Sequence, residues 1–219
     1  MADNANERRR ELEKRLRTVT ESFEHDMRAR GFDPAQAENA ALPTPLAALY
    51  LERQSLLEEL DNLSMTEVER IVKQFQRGFE GQAWHGPALL ELLNGVEASD
   101  AAAHPIPSAH SIWEIVLHIA AWKGAGVRRL EGDRAELSDA EDWPTVTETT
   151  NEAWQNAKEG LTTIHQQLLE AIGRLDDPRL NEPIVEGLST VYSTLHGILQ
   201  HDLYHAGQIA ILKKALRPA

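Results

Sequence analysis

Residues 154–175, WQNAKEGLTTIHQQLLEAIGRL, carry apolar side chains at alternating steps of three and four. This spacing returns to one face of an α-helix at every turn, so it predicts a helix that packs on a core. Similar spacings recur along the chain, and no stretch alternates apolar and polar residues for long enough to predict a strand. The sequence therefore predicts an all-α fold. The apolar positions are Trp154, Ala157, Leu161, Ile164, Leu168, Ala171 and Leu175.

Residues 65–219 are predicted to form a four-helix bundle, of which residues 154–175 supply the third helix. Ser64-Met65-Thr66-Glu67 has the spacing of a capping box and predicts the start of the first helix. A second such spacing, Ser111-Ile112-Trp113-Glu114, predicts the start of the next, and the last runs from about Ser189 to Leu216. Four such helices are enough to enclose one core.

One interhelical segment is strongly acidic. Residues 131–146, EGDRAELSDAEDWPTV, contain six acids and one base. Such a composition predicts a solvated loop, with Trp143-Pro144 as its anchor on the bundle.

Residues 1–64 are predicted to form a separate amphipathic helical hairpin. Its first helix carries a narrow apolar stripe in a highly charged sequence, and its second helix is rich in leucine. These apolar side chains must be buried, either on a second copy of the hairpin or on the bundle. We expect a homodimer, and an intramolecular brace is the alternative. The stripe consists of Leu12, Leu16, Val19, Phe23 and Met27.

The composition excludes several classes of function. A net charge of −13 gives no basic surface for nucleic acid or for an anionic membrane. The chain has no cysteine, which excludes disulfides, cysteine-based zinc sites and a cysteine nucleophile. The N-terminal residues lack the apolar stretch of a signal peptide, and no apolar run approaches the length of a membrane span. We expect a cytoplasmic protein whose metal ligands, if any, are His, Asp or Glu.

Three histidines are the candidate metal ligands. His201 and His205 stand four residues apart in LQHDLYHAGQIAIL and therefore share one helical face. They could bind a metal there, or they could lie at a solvated helix end or bond to backbone carbonyls. His118 shares a face with Ile115 and Trp122, so it points toward the interior of the same bundle. Three imidazoles with an open fourth position are typical of a catalytic metal site.

Four further residues are candidates for the surroundings of such a site. Trp122 and Tyr204 could form a wall for a substrate, although core packing would equally explain Trp122. Asp202 could accept a hydrogen bond from a ligating imidazole, or it could simply be solvated. His85, in the loop WHGP, could approach the pocket mouth, but loop histidines more often make local hydrogen bonds.

Three segments, HSIWEIVLHIAAW, HGILQHDLYHAGQIAILKK and AWHGPALLELLNGV, together resemble the DinB-like superfamily over about residues 66–216. The resemblance implies a four-helix bundle that holds a divalent metal through one histidine of the second helix and two of the fourth. The matching positions here are His118, His201 and His205. Members of the superfamily include metal-dependent transferases that use a low-molecular-weight thiol, a thiol-dependent maleylpyruvate isomerase and a suspected metal hydrolase.

The residues and the resemblance together predict a metal-dependent enzyme that activates a thiol or a water toward a small-molecule substrate. The thiol would come from a cofactor, because the chain has no cysteine. Three imidazoles suit zinc, nickel, copper and iron alike, so the sequence does not specify the metal. It identifies no general acid or base. The alternative is a metal-binding, ligand-binding or stress-response protein in which the histidines stabilise the bundle without turnover.

Overall fold

A computed structural model describes residues 2–39 and 42–217, with side chains for residues 7–37 and 42–217. Within these ranges the chain forms helices and loops, and none of the described residues belongs to a β-sheet, which confirms the predicted all-α fold. Among the same residues, no helix is both long enough and apolar enough to cross a membrane. The chain divides into two compact units, Met1–Met65 and Thr66–Ala219.

The first unit is a helical hairpin. Helix α1, Ala2–Ala29, packs along helix α2, Thr44–Ser64, and a short 3-10 turn at Pro34–Asn39 lies in the connection. The predicted apolar stripe is the buried face of α1, with Leu16 only partly buried. It packs against Leu46 and Leu56 of α2.

The second unit is the four-helix bundle. Its long helices are α3 (Glu67–Glu80), α6 (Ile112–Leu130), α8 (Asn151–Gly173) and α9 (Val191–Leu216). Between them lie three short helices, α4 (Leu89–Leu93), α5 (Ala98–Ala102) and α7 (Asp139–Asp142).

The capping boxes set where two of the bundle helices begin. The predicted box at Ser111 is confirmed, because Glu114 Oε2 accepts from the Ser111 backbone N–H at 2.7 Å and Ser111 Oγ accepts in return. The box predicted at Ser64 is wrong. Ser64 is the last residue of α2, and the box that starts α3 pairs Thr66 with Glu69. The same three-residue spacing occurs at both positions, so the sequence does not distinguish them.

Helices α6 and α9 approach each other closely, and these two helices carry the three candidate histidines. A Cβ atom placed on Gly126 of α6 would lie 2.6 Å from Ile198 Cδ1 of α9. A side chain at this position would therefore require the end of the Ile198 side chain to move.

A buried charged cluster also joins α6 to α9. Lys123 is fully buried and donates a hydrogen bond to Asp202 Oδ2. Its ammonium group also lies 3.2 Å from His165 Nδ1 and within 5.5 Å of the ring centroids of Phe75 and Phe79. Burial, together with the positive charge of Lys123, lowers the pKa of His165 to about 3, so this imidazole is neutral at physiological pH.

Candidate metal centre

The three candidate histidines converge in the bundle. His201 Nε2 lies 2.9 Å from His118 Nε2 and 3.1 Å from His205 Nε2. His118 and His205 are buried, with only 5% and 4% of their surface exposed, and His201 is partly buried. One helix, α6, supplies the first ligand position, and α9 supplies the other two.

Hydrogen bonds on the opposite edge of the rings orient two of these imidazoles. His118 Nδ1 lies 2.7 Å from the carbonyl oxygen of Asp142, and His205 Nδ1 lies 2.6 Å from Gln208 Oε1. Both oxygens only accept hydrogen bonds, so in a neutral ring each Nδ1 carries the hydrogen and donates it. The Nε2 atoms of His118 and His205 are consequently unprotonated, and the lone pairs of both are directed at His201 Nε2.

The spacing of the nitrogens fits a bound metal ion. Two imidazole nitrogens that bind one ion at about 2.0–2.1 Å lie roughly 2.9–3.4 Å apart when the angle between them is about 90–110°. The observed separations of 2.9 and 3.1 Å fall in this range. Because hydrogen bonds to the outer nitrogen commonly hold metal-binding histidines, the contacts of Asp142 and Gln208 fit the same interpretation.

The electrostatic environment favours neutral imidazoles. Burial, together with the neighbouring rings of His205 and His118, lowers the pKa of His201 to about 4. Burial also lowers the pKa of His205. Neutral imidazole is the form that binds a metal, so no proton has to be displaced from these two rings near pH 7.

The acidic segment between α6 and α8 forms a wall of the site. The indole of Trp143 is stacked between two imidazoles, with its centroid 3.6 Å from that of His110 and 3.8 Å from that of His118. The Asp142 carboxylate accepts a 2.6 Å hydrogen bond from Trp122 Nε1. Residues 139–142 form the short helix α7 and not a loop, but three of the four are exposed, as the prediction of a solvated segment requires. The predicted anchoring role of Trp143 is confirmed.

A cavity of about 690 Å³ opens beside the three histidines. Its walls are largely apolar. Tyr204 stands at its edge with 65% of its surface exposed. The cavity is large enough for a small organic molecule. Its lining also includes Ile106, Ser108, Ala109, His110, Ile115, Trp122, Asp142, Trp143, Gln208, Ile211 and Leu212.

Of the four further candidates for the surroundings of the site, two line the cavity and two do not. Trp122 and Tyr204 both line the cavity. Asp202 contacts neither His118 nor His205, because its buried carboxylate is paired with Lys123 on the core side of α9. His85 is exposed and is not among the residues that line the cavity, so of its two interpretations the geometry does not favour the pocket mouth.

Four residues of the site were not predicted from the sequence. They are Asp142, Gln208, His110 and, as a ring partner of His118, Trp143. Gln208 follows His205 by three residues, so helical spacing could have identified it. Asp142 and Trp143 contact His118 because of the path that the chain takes between α6 and α8, and no spacing in the sequence predicts such a contact.

The fold and the site define an all-helical bundle with three converging imidazoles at the base of an open cavity. The family model of the DinB superfamily matches residues 82–209, which is more than half of the chain. The chain therefore belongs to the DinB superfamily, and the resemblance inferred from its sequence is confirmed. Neither the curated proteins nor the solved structures compared with this chain match it.

Proposed function

We propose that the second unit is a metal-dependent enzyme in which His118, His201 and His205 bind one divalent transition-metal ion. The observation that carries the proposal is the convergence of three Nε2 atoms, since that of His201 lies 2.9 Å from that of His118 and 3.1 Å from that of His205. The contacts of Asp142 and Gln208 support it, because they leave Nε2 of His118 and of His205 unprotonated. Membership of the DinB superfamily supports it independently.

The proposed chemistry is the activation of a low-molecular-weight thiol or of a water molecule for a transfer or hydrolysis reaction. A divalent metal bound here would lower the pKa of a thiol or water in an open coordination position. The side chains of Trp122 and Trp143 would shield the reacting group from bulk water. A thiol must come from another molecule, since the chain has no cysteine.

Metal analysis of the purified protein tests the metal site. We expect about one zinc, nickel or other transition-metal ion per chain in the wild type and a large loss in His205→Ala. His196→Ala is the matched control, because His196 lies on the same helix but outside the cavity lining. A wild type without bound metal, and without a thermal shift on addition of zinc, nickel or manganese, would overturn the proposal.

The alternative is a metal that only stabilises the bundle. The cavity of about 690 Å³ beside the histidines supports an open coordination position instead. Cobalt-substituted protein distinguishes the two functions. We expect the visible spectrum to change when 2-mercaptoethanol is added, whereas a closed site with a fourth protein ligand would leave it unchanged.

A homodimer formed through the hairpin is part of the proposal. Leu51 and Leu57 of α2 are exposed, which supports association with a second copy. Light scattering of the wild type and of the double variant Leu51→Glu/Leu57→Glu tests it, and a wild-type monomer would contradict it. A cytoplasmic location and a small-molecule substrate also belong to this proposal.

A further inference from the structure

A second cavity, of about 360 Å³, adjoins the metal centre. Trp122 and His201 line both cavities, so the two spaces share part of one wall. The second cavity lies between the C-terminal half of α6 and the N-terminal half of α9, and Arg129 and Gly197 are among its lining residues. Neither the family match nor the proposed metal chemistry assigns it a function.

Arg129 places a fixed positive charge in this cavity. Its guanidinium lies 5.5 Å from the ring centroid of Trp122, and it donates hydrogen bonds of 3.2 Å to the carbonyl oxygens of Arg134 and Ala135. These contacts use two of the five donors of the guanidinium and hold it in place. Among the residues that the structure describes, no carboxylate forms an ion pair with Arg129. In a chain of net charge −13, an arginine that is held in this way and has no acidic partner keeps donors available for an incoming anion.

A hydroxyl group supplies a second donor. Ser193 Oγ accepts a 3.0 Å hydrogen bond from Thr190 Oγ1, which leaves the hydroxyl hydrogen of Ser193 available. The hydroxyl of Thr194 is not available in this way, because it already donates to the Thr190 carbonyl oxygen at 3.0 Å. Apolar side chains complete the walls, namely Ile184, Leu188 and Ile198.

We propose that the second cavity binds a small organic anion, a carboxylate carried on an apolar body. Arg129 and Ser193 bind the carboxylate, and the apolar walls take the body. Continuous contacts connect this site to the metal centre, since Arg129 stacks on Trp122, Trp122 donates to Asp142, and Asp142 accepts from His118. We infer further that the anion is one end of the substrate, and this step rests on the proposed metal function. The anion site itself does not depend on that function.

Benzoate binding to the full-length protein, measured by isothermal titration calorimetry, tests the site. We expect saturable binding of benzoate and at least about tenfold weaker binding of benzyl alcohol, which lacks the charge. Arg129→Met should raise the Kd for benzoate by about tenfold or more. Arg128→Met is the matched control, because the neighbouring Arg128 is exposed and pairs with Asp133 outside the cavity. It should leave the Kd unchanged.

A second variant tests the cavity without changing a charge. A Cβ atom on Gly197 would meet nothing within 4 Å, so the helix accepts a side chain there. We expect Gly197→Leu to fill the cavity and to abolish benzoate binding while the protein remains folded by circular dichroism.

Three results would overturn the anion site. The first two are benzoate binding that is unchanged in Arg129→Met and benzoate binding that is unchanged in Gly197→Leu. The third is a competition experiment in which inorganic phosphate displaces benzoate more effectively than acetate does. Binding that is lost after metal removal or in His205→Ala would show that the metal holds the carboxylate, which overturns the second site but leaves the proposed metal function intact. Binding that depends on Arg129 in a protein that takes up no metal would leave the anion site intact and overturn the metal function.

Discussion

The backbone carbonyl of Asp142 accepts a hydrogen bond from His118 Nδ1 at 2.7 Å, so the last residue of the short helix α7 controls which nitrogen of a bundle histidine faces the site. The carboxylate of the same residue bonds Trp122 Nε1 at 2.6 Å and lies 3.1 Å from His118 Nδ1. One residue therefore attaches the loop to α6 and directs the Nε2 lone pair of His118 toward the other histidines.

Removal of the Asp142 side chain should weaken metal binding. Asp142→Ala keeps the backbone carbonyl that accepts from His118 Nδ1, but it removes the carboxylate that bonds Trp122 Nε1 and lies 3.1 Å from His118 Nδ1. We expect the metal Kd to rise about tenfold, because the segment that carries the carbonyl is then held less firmly. Competition with a chromophoric chelator measures this. Asp142→Asn keeps an oxygen acceptor and should stay near the wild type, and Asp139→Ala, an exposed acid of the same short helix, is the control. Equal affinity of Asp142→Ala and wild type would contradict an orienting role of the carboxylate.

The buried pair of Lys123 and Asp202 should dominate the stability of the α6–α9 contact. Lys123→Met leaves a buried carboxylate without its cation, and we expect a loss of about 3–5 kcal/mol in the free energy of unfolding. The double variant Lys123→Met/Asp202→Leu should recover much of this loss, since it removes both charges. Urea denaturation measures the effect, and Arg128→Met, which breaks an exposed ion pair, should cost at most about 1 kcal/mol. A loss in Lys123→Met as small as that of the control would count against the buried pair.

His165 should make the protein less stable as the pH falls. Its pKa is about 3 in the folded state against an ordinary value of 6.5, so below pH 6.5 the unfolded chain binds a proton that the folded chain does not. This contribution to stability is complete above the unfolded pKa and decreases toward pH 3. Between pH 7.5 and 5.5 the loss amounts to about 1.4 kcal/mol. Denaturation of the wild type and of His165→Leu at both pH values measures the difference, and parallel pH dependences would refute it.

The close approach at Gly126 should reduce the gain that a Gly→Ala change in a helix normally brings. Gly126→Ala places a Cβ atom 2.6 Å from Ile198 Cδ1, the end of a flexible side chain, so Ile198 must change rotamer. We expect a cost of about 1 kcal/mol relative to the same change at an open helical position. Gly160→Ala is the matched control in α8, where a Cβ atom meets nothing within 4 Å, and it should stabilise the helix by up to about 1 kcal/mol. Chemical denaturation distinguishes the two variants, and equal stabilities would show that the contact can relax.

The three histidines could be predicted from the sequence because helical spacing is a local property. The spacing of four residues from His201 to His205 places both on one face, and the apolar neighbours of His118 turn it toward the same interior. The all-helical fold follows from the same periodicity, most clearly in α8.

The surroundings of the site could not be predicted in this way. Asp142 lies in a sequence whose charge is typical of a solvated loop, and its contact with His118 depends on the path of the chain between α6 and α8. Lys123 is a second example, since a lysine within an amphipathic helix is normally exposed and only the packed structure reveals its partners, Asp202 and His165.

The stacking of Trp143 on His118 has an evolutionary consequence. The bundle helices carry the candidate ligands, whereas the loop that contains Asp142 and Trp143 supplies one face of the cavity. Loops tolerate substitution and insertion far better than packed helices do. Selection could therefore reshape the substrate pocket through this loop while the three imidazoles stay in place, and a single scaffold could diversify among many reactants.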